Sequence, residues 1–298
     1  MNDRTVVITG ASSGFGRGTA LRLAAEGYSL VLAARRGRVL RELADECGDA
    51  IAVITDVGDP NDVEKLAKAA LARFNRIDVW INCAGVAALG RFDEIPLRDH
   101  QRVLQTNLGG VINGSHVAVR HFRRVHSGTL INIASMLGRT PSPYYASYCA
   151  SKYGVLGLSE SLRQELRAHG EHDIQVCAIL PMAADTPFFE HAANYTGHSL
   201  QPFPITDAEN VVEAIVDAVR SPRDEVVVGI PAAAAVITER LAPWLTQSVT
   251  GAVTHQLQVR DAPPAMITQG NLHAPMAIGT DIHGGIRAQM AAEQRAWH

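Results

Sequence analysis

Short apolar runs alternate with longer stretches whose apolar positions recur three and four apart, and this rhythm organises roughly the first three quarters of the chain. Residues 5–9, 29–33, 51–55, 79–82, 129–133, 174–179 and 225–228 read as strands. The stretches between them read as helices, the first over 14–26, where Ala20, Leu21, Leu23 and Ala24 fall near the helical period. Strands that alternate with helices predict an α/β fold, a doubly wound parallel sheet of about seven strands flanked by helices.

The rhythm stops near residue 230. Residues 231–251 read as an amphipathic helix with Pro243 near its middle, and Val236, Ile237, Leu241, Trp244 and Leu245 on it need a surface to bury against. The remainder of the chain is rich in Pro, Gly and His and has little period, which predicts partial disorder or docking on a neighbouring protomer. The expected organisation is therefore one domain over 1–230, with a lid at 183–204, and a C-terminal helical and irregular extension over 231–298.

A chain of 298 residues, 47% hydrophobic and 19% charged, can bury one large core. A net charge of −3 gives no electrostatic case for nucleic acid or an anionic membrane, so small molecules are the expected partners. No apolar run approaches the roughly 18 residues of a membrane span, and Met1 leads into a strand without a signal-type segment, which predicts a cytoplasmic protein. Cys47, Cys83, Cys149 and Cys177 are scattered, as expected of reduced thiols. The 12 histidines form no H-E-x-x-H or similar cluster, His116, His121 and His126 merely dotting one predicted helix, so no metal site is expected.

Two patterns carry chemistry. The first strand runs from Thr9 into a loop bearing Gly10, Gly14 and Gly16 and then into a helix, an arrangement that lets a pyrophosphate approach bare backbone at a helix N-terminus. Tyr148 and Lys152 lie four residues apart on a predicted helix and so share one face. A lysine there favours the ionised phenol and makes the pair a candidate general acid/base.

Thr9, Gly10-x-x-x-Gly14-x-Gly16, Asn82-Cys83-Ala84-Gly85, Asn107, Ser135 and Tyr148-x-x-x-Lys152, in this order and spacing, resemble the short-chain dehydrogenase/reductase family over about residues 4 to 230. The resemblance implies a Rossmann-like sheet, a nicotinamide cofactor and carbonyl/alcohol redox chemistry at a catalytic set of Asn107, Ser135, Tyr148 and Lys152. Tyr148 would donate the proton and Ser135 position the carbonyl oxygen. Lys152 would lower the tyrosine pKa and hold the ribose, and Asn107 would hold a water linking Lys152 to solvent. Cofactor contacts are expected from Gly10, Ser12, Ser13, Gly14, Phe15 and Gly16, from Asp56 and Val57 at the adenine, from Asn82, Ala84 and Gly85, from Tyr148 and Lys152, and from Pro181 and Thr186. Cys83 stands where a second asparagine is usual and Met182 where glycine is frequent, which puts the backbone geometry beside the nicotinamide in question.

After the second strand an acid would favour NAD, but the chain has Ala34, Arg35 and Arg36, and a guanidinium suits the 2′-phosphate of NADP. NADP is expected ahead of NAD. Phe188, Phe189, Tyr195 and Phe203 either form a lid over an apolar ketone or alcohol or pack the lid segment onto the core, and Ser142, Tyr144 and Tyr145 are further candidates for the pocket wall. A homodimer or homotetramer is expected. Two other readings stay open: an NADPH-binding sensor or scaffold without catalysis, and a carrier-linked 3-ketoacyl reductase.

Overall fold

The computed structural model describes residues 3–229 and 251–297. Its strands are β1 (Thr5–Thr9), β2 (Ser29–Ala34), β3 (Ala50–Ile54), β4 (Val79–Asn82), β5 (Ala88–Leu89), β6 (Gly128–Ile133), β7 (Ile174–Pro181), β8 (Ala193–Asn194) and β9 (Glu225–Val228). Seven of them form one parallel sheet in the order β3-β2-β1-β4-β6-β7-β9. The helices are α1 (Gly14–Ala25), α2 (Gly37–Cys47), α3 (Pro60–Phe74), α4 (Leu97–Leu104), α5 (Gly110–Val125), α6 (Ala146–Ala168), α7 (Phe188–His191), α8 (Ala208–Arg220) and a C-terminal α9 (Ile286–Trp297).

The strands are apolar throughout because both faces of the sheet are covered. Val6, Ile8, Leu30, Leu32, Ile81, Ile131 and Ile179 point to one face, where Ala20 and Leu23 of α1 and Val211, Ile215 and Val219 of α8 complete a core. Val7, Val31, Trp80, Leu130 and Val176 point to the other, against Val63 and Leu66 of α3 and Val117 and Phe122 of α5. The alternation is the period-two geometry of a strand. Local signals set the helix ends: in α3, Asp59 accepts from the Asn61 amide, Pro60 opens the first turn, and Asn75 closes the helix with a left-handed φ of 58°.

From β1 the chain winds outward through β2 and β3, then returns to lay β4 on the other side of β1. That switch leaves a crevice at the carboxyl ends of β1 and β4, the position where open α/β sheets bind ligands. The two loops meet closely there. Gly10 has φ +71°, and a Cβ on it would lie 2.8 Å from the backbone of Ala84, so conformation and space both demand glycine.

Two features depart from the expected pattern. The long helix after β5 is interrupted by a π-turn over Gln105–Gly109 between α4 and α5. The tail also takes a definite course: after a second π-turn at Gln256–Arg260 it runs back over its own chain rather than away from it. Thr268 pairs with Asn194 through reciprocal backbone bonds of 2.8 and 3.0 Å, the Asn271 amide donates to His191, and the Gly14 amide donates to the Asp281 carbonyl at 2.9 Å. Nearly all of the helix expected at 231–251 lies outside the described residues.

Candidate active site

A cavity of about 560 Å³ runs along the carboxyl ends of the strands. Every site residue expected from the sequence lines it except Asn82 and Asn107. Asn82 sits in the core instead, accepting from Trp80 Nε1 at 2.9 Å and donating to Asn132 Oδ1 at 2.9 Å. Asn107, fully buried within the π-turn, clamps the loop after β4: its Oδ1 accepts from the Val86 amide at 2.8 Å, and its Nδ2 donates to the Val86 carbonyl at 2.9 Å and Ser151 Oγ at 3.1 Å. Such π-turns are frequent at functional sites.

At the chemical end, α6 carries Tyr148 and Lys152 one turn apart, and the loop after β6 brings Ser135 to them. Lys152 Nζ donates to the Ile133 carbonyl at 2.7 Å and lies 5.6 Å from the centre of the Tyr148 ring. Burial pushes the lysine pKa down to about 8, with the neighbouring Cys83 opposing. The Cys83 thiol is itself pushed up by burial to about 12, so it stays neutral. Burial raises the Tyr148 phenol, against Phe188 at 5.7 Å and Tyr145 at 6.4 Å, while a hydrogen bond with Ser135 opposes the rise. Ser135 Oγ accepts from the Leu137 amide at 3.1 Å, which fixes the hydroxyl and leaves its proton to donate. The arrangement can hold a protonated phenol, a positioned hydroxyl and a buried ammonium around one carbonyl oxygen.

The other end is cationic. Arg35 is depressed by burial and then by the charge of Arg102, and Arg36 by burial and then by the charge of Arg35. Asp56 is the carboxylate paired in this group, 2.5 Å from Arg102. Arg36 braces the glycine loop, donating to Ser12 Oγ at 3.0 Å and Ser13 Oγ at 2.7 Å. Both arginines also reach the tail: Arg35 donates to the carbonyls of Asn271 at 2.5 Å and Leu272 at 3.1 Å, and Arg36 to those of Ile278 at 3.0 Å and Gly279 at 3.1 Å.

At the substrate end Phe188, Phe189 and Phe203 line the cavity with Ser142 and Tyr145. Tyr195 and Tyr144 do not. The Tyr195 hydroxyl bonds Asp99, a fully buried carboxylate that also meets His273 Nε2 at 2.8 Å, and the Tyr144 hydroxyl bonds His255 Nδ1 at 2.5 Å. Met182 lines the cavity with a φ outside the left-handed region, so the backbone there does not require glycine. The tail adds Val253, Leu257 and Gln258 to this end and Asn271, Pro275 and Met276 to the other. None of these was anticipated; the tail is anchored largely through its backbone, which leaves no periodic signal.

The residues present fit a nicotinamide dinucleotide. Glycine keeps the crevice floor bare where a Cβ would strike Ala84, and five buried oxygens of lining residues, Thr106 Oγ1 and Asn271 Oδ1 among them, have no partner. Among the described residues no group of three or more His, Cys, Asp or Glu could hold a metal ion, and no helix is long and apolar enough to cross a membrane.

Comparison with known proteins agrees with this geometry. The family model of the short chain dehydrogenases matches residues 4–195. An uncharacterized oxidoreductase of Bacillus subtilis, YxnA, is 34% identical over 270 residues, covering 88% of this chain and 76% of the relative. A 3beta-hydroxysteroid dehydrogenase of Eggerthella lenta is 36% identical over 193 residues, covering 63% of this chain and 73% of the relative. A crystal structure of a short chain dehydrogenase/reductase from Burkholderia phymatum, in complex with NAD, superposes with a TM-score of 0.73 at 26% identity, over 83% of this chain and 97% of that one. A parallel sheet with its crevice at the β1/β4 switch, a glycine loop on that crevice and a family match spanning both place this chain among the short-chain dehydrogenases/reductases, oxidoreductases that interconvert CH–OH and C=O with a nicotinamide dinucleotide.

Proposed function

We propose that the protein reduces a ketone, or oxidises the corresponding secondary alcohol, with NADP(H) preferred over NAD(H). The observation that carries this reading is the meeting of Tyr148, Ser135 and Lys152 at one end of a cavity whose other end carries Arg35 and Arg36 and no acid after β2. The chemistry that the nicotinamide supplies when bound is hydride transfer at the carbonyl carbon. Ser135 donates to the carbonyl oxygen and positions it, Tyr148 gives that oxygen its proton, and Lys152 stabilises the tyrosinate left behind. Asn107 acts through the Val86 loop, holding it against α6 through Ser151. The aromatic wall favours an apolar substrate.

A non-catalytic binder has no use for a phenol and a hydroxyl turned into the cavity. A carrier-linked substrate calls for cations beside the substrate end, whereas among the described lining residues the lysines and arginines are Arg35, Arg36 and Lys152. Exposed apolar side chains on successive helices, Leu104, Ile112 and Tyr153, support a homo-oligomer. We also propose a cytoplasmic location, on the sequence alone.

Titration with NADPH and NADH side by side, read by nicotinamide fluorescence, tests the cofactor preference. Removing a charge-assisted phosphate contact in Arg35→Ala should weaken NADPH by roughly 10–100-fold and NADH by clearly less, the smaller loss coming from the tail carbonyls of Asn271 and Leu272 that Arg35 also holds. Equal weakening of both would sink the phosphate reading.

Lys152 gives a second test. Its folded pKa is depressed to about 8, so the ammonium is present below that pH and lost as pH rises through it. Reductive kcat/KM should therefore fall above pH about 8, and Lys152→Arg, which stays charged, should move that inflection out of range. A wild-type profile flat to pH ~10 would remove the lysine from this role.

A further inference from the structure

The tail segment from Asn271 to Asp281 reaches the domain almost entirely through backbone carbonyls. Arg35 donates to two of them, Arg36 to two more, Arg102 Nε to Leu272 at 3.0 Å and the Gly14 amide to Asp281 at 2.9 Å. Leu272 is fully buried beside Val86, Ile95 and Val103, and His273 is tied to Asp99. Asn271 is thus fixed by its own carbonyl and amide and by the two residues that follow it, while its side chain takes no part in the anchoring.

That side chain borders the cavity at the same end as Asp56 and Val57, and its Oδ1 is buried without a donor. A buried amide oxygen left unpaired is costly. Asp56, which would ordinarily be looked to as an acceptor here, already takes the Gly58 amide at 2.9 Å on Oδ1 and Arg102 at 2.5 Å on Oδ2. A group that offers a donor to Asn271 beside an acceptor for its Nδ2 would match the amide, and the amino edge of adenine has that pair.

We infer that the C-terminal extension completes the cofactor site, residues 271–281 forming the outer wall of the adenosine pocket and Asn271 Oδ1 accepting from the adenine amino group. The inference rests on the reading of this cavity as a dinucleotide site and deepens it. It assigns to the extension a contact common to NAD and NADP, separate from the phosphate contact of Arg35.

The test is equilibrium binding by the full chain of NADH and NADPH and of their hypoxanthine analogues, in which the amino donor is replaced by an oxygen. The wild type should bind the adenine forms about tenfold more tightly than the hypoxanthine forms. Asn271→Ala should weaken NADH and NADPH by the same factor and erase the preference for adenine, and Asn271→Asp, which keeps an acceptor, should retain it. A thermal melt of each variant separates loss of contact from loss of fold. Undiminished preference for adenine in Asn271→Ala, or none in the wild type, overturns this inference while leaving the dinucleotide site standing. Binding of none of the four by the folded wild type overturns both.

Discussion

Replacing Tyr148 by Phe is expected to lower kcat/KM for ketone reduction by roughly 10²–10⁴ while leaving dinucleotide affinity nearly unchanged. The ring can stay where it is, edge to Tyr145 and tilted on Phe188, so the variant loses one hydroxyl and little packing. Neither Lys152 nor Ser135 can supply the missing proton. Lys152 Nζ is held by the Ile133 carbonyl behind the ring, and Ser135 Oγ, fixed by the Leu137 amide, belongs to a hydroxyl too weakly acidic to act alone. At about 1.4 kcal/mol per decade the loss corresponds to roughly 3–5 kcal/mol of transition-state stabilisation. Initial rates on a ketone panel, with nicotinamide fluorescence to confirm binding, measure it. Turnover within a few-fold of wild type would mean that another group is the acid.

Ser135→Ala in the same background separates the two roles. If the serine acts only by positioning the oxygen that Tyr148 protonates, its loss should matter much less in Tyr148→Phe than in the wild type, because groups that act as a unit are not additive. Independent losses would make the serine a separate stabiliser of charge.

Most of the fold was legible because parallel strands covered on both faces are written as plain apolar runs. The strands missed are the two-residue β5 and β8, too short to carry a period, and β7 runs on to Pro181 past the expected 179, a proline being tolerated at a strand end. The π-turn at Gln105–Gly109 left no trace, since one extra residue in a turn hardly disturbs the apolar period around it. The lining of the cavity was legible where a residue type has a narrow range of uses, as with the glycines at a left-handed φ or the Tyr-Lys pair. Asparagine is different: its amide serves a ligand, a loop or a core equally well, and Asn82 and Asn107 serve the core and the loop. The tail was illegible for a further reason. Its contacts to Arg35, Arg36 and Arg102 are made by carbonyls every residue possesses, so the fixed segment at 271–281 reads as irregular sequence.

The position of Asn82 leads to the second large effect, one of stability: Asn82→Ala should destabilise the protein by about 2–5 kcal/mol. Trp80 Nε1 donates to Asn82, Asn82 to Asn132, Asn132 Nδ2 to Ser159 Oγ at 2.9 Å, and Ser159 to the Val155 carbonyl at 2.8 Å, a chain joining β4, β6 and α6 in which no side chain is more than 3% exposed. Removing the second link strands an indole N–H and an amide oxygen in the core, each costing about 1–3 kcal/mol. The chain is tightly packed: a Cβ on Gly114 would strike Asn82 Oδ1 and lie 2.7 Å from Trp80 Nε1. For a domain of this size the midpoint of thermal unfolding should fall by about 5–15 °C. Because Asn82 does not border the cavity, the same concentration of NADPH should raise the melting temperature of the variant as much as that of the wild type. A variant that melts normally but has lost that ligand-induced rise would return Asn82 to the cofactor site and leave the core chain without the energetic role its geometry implies.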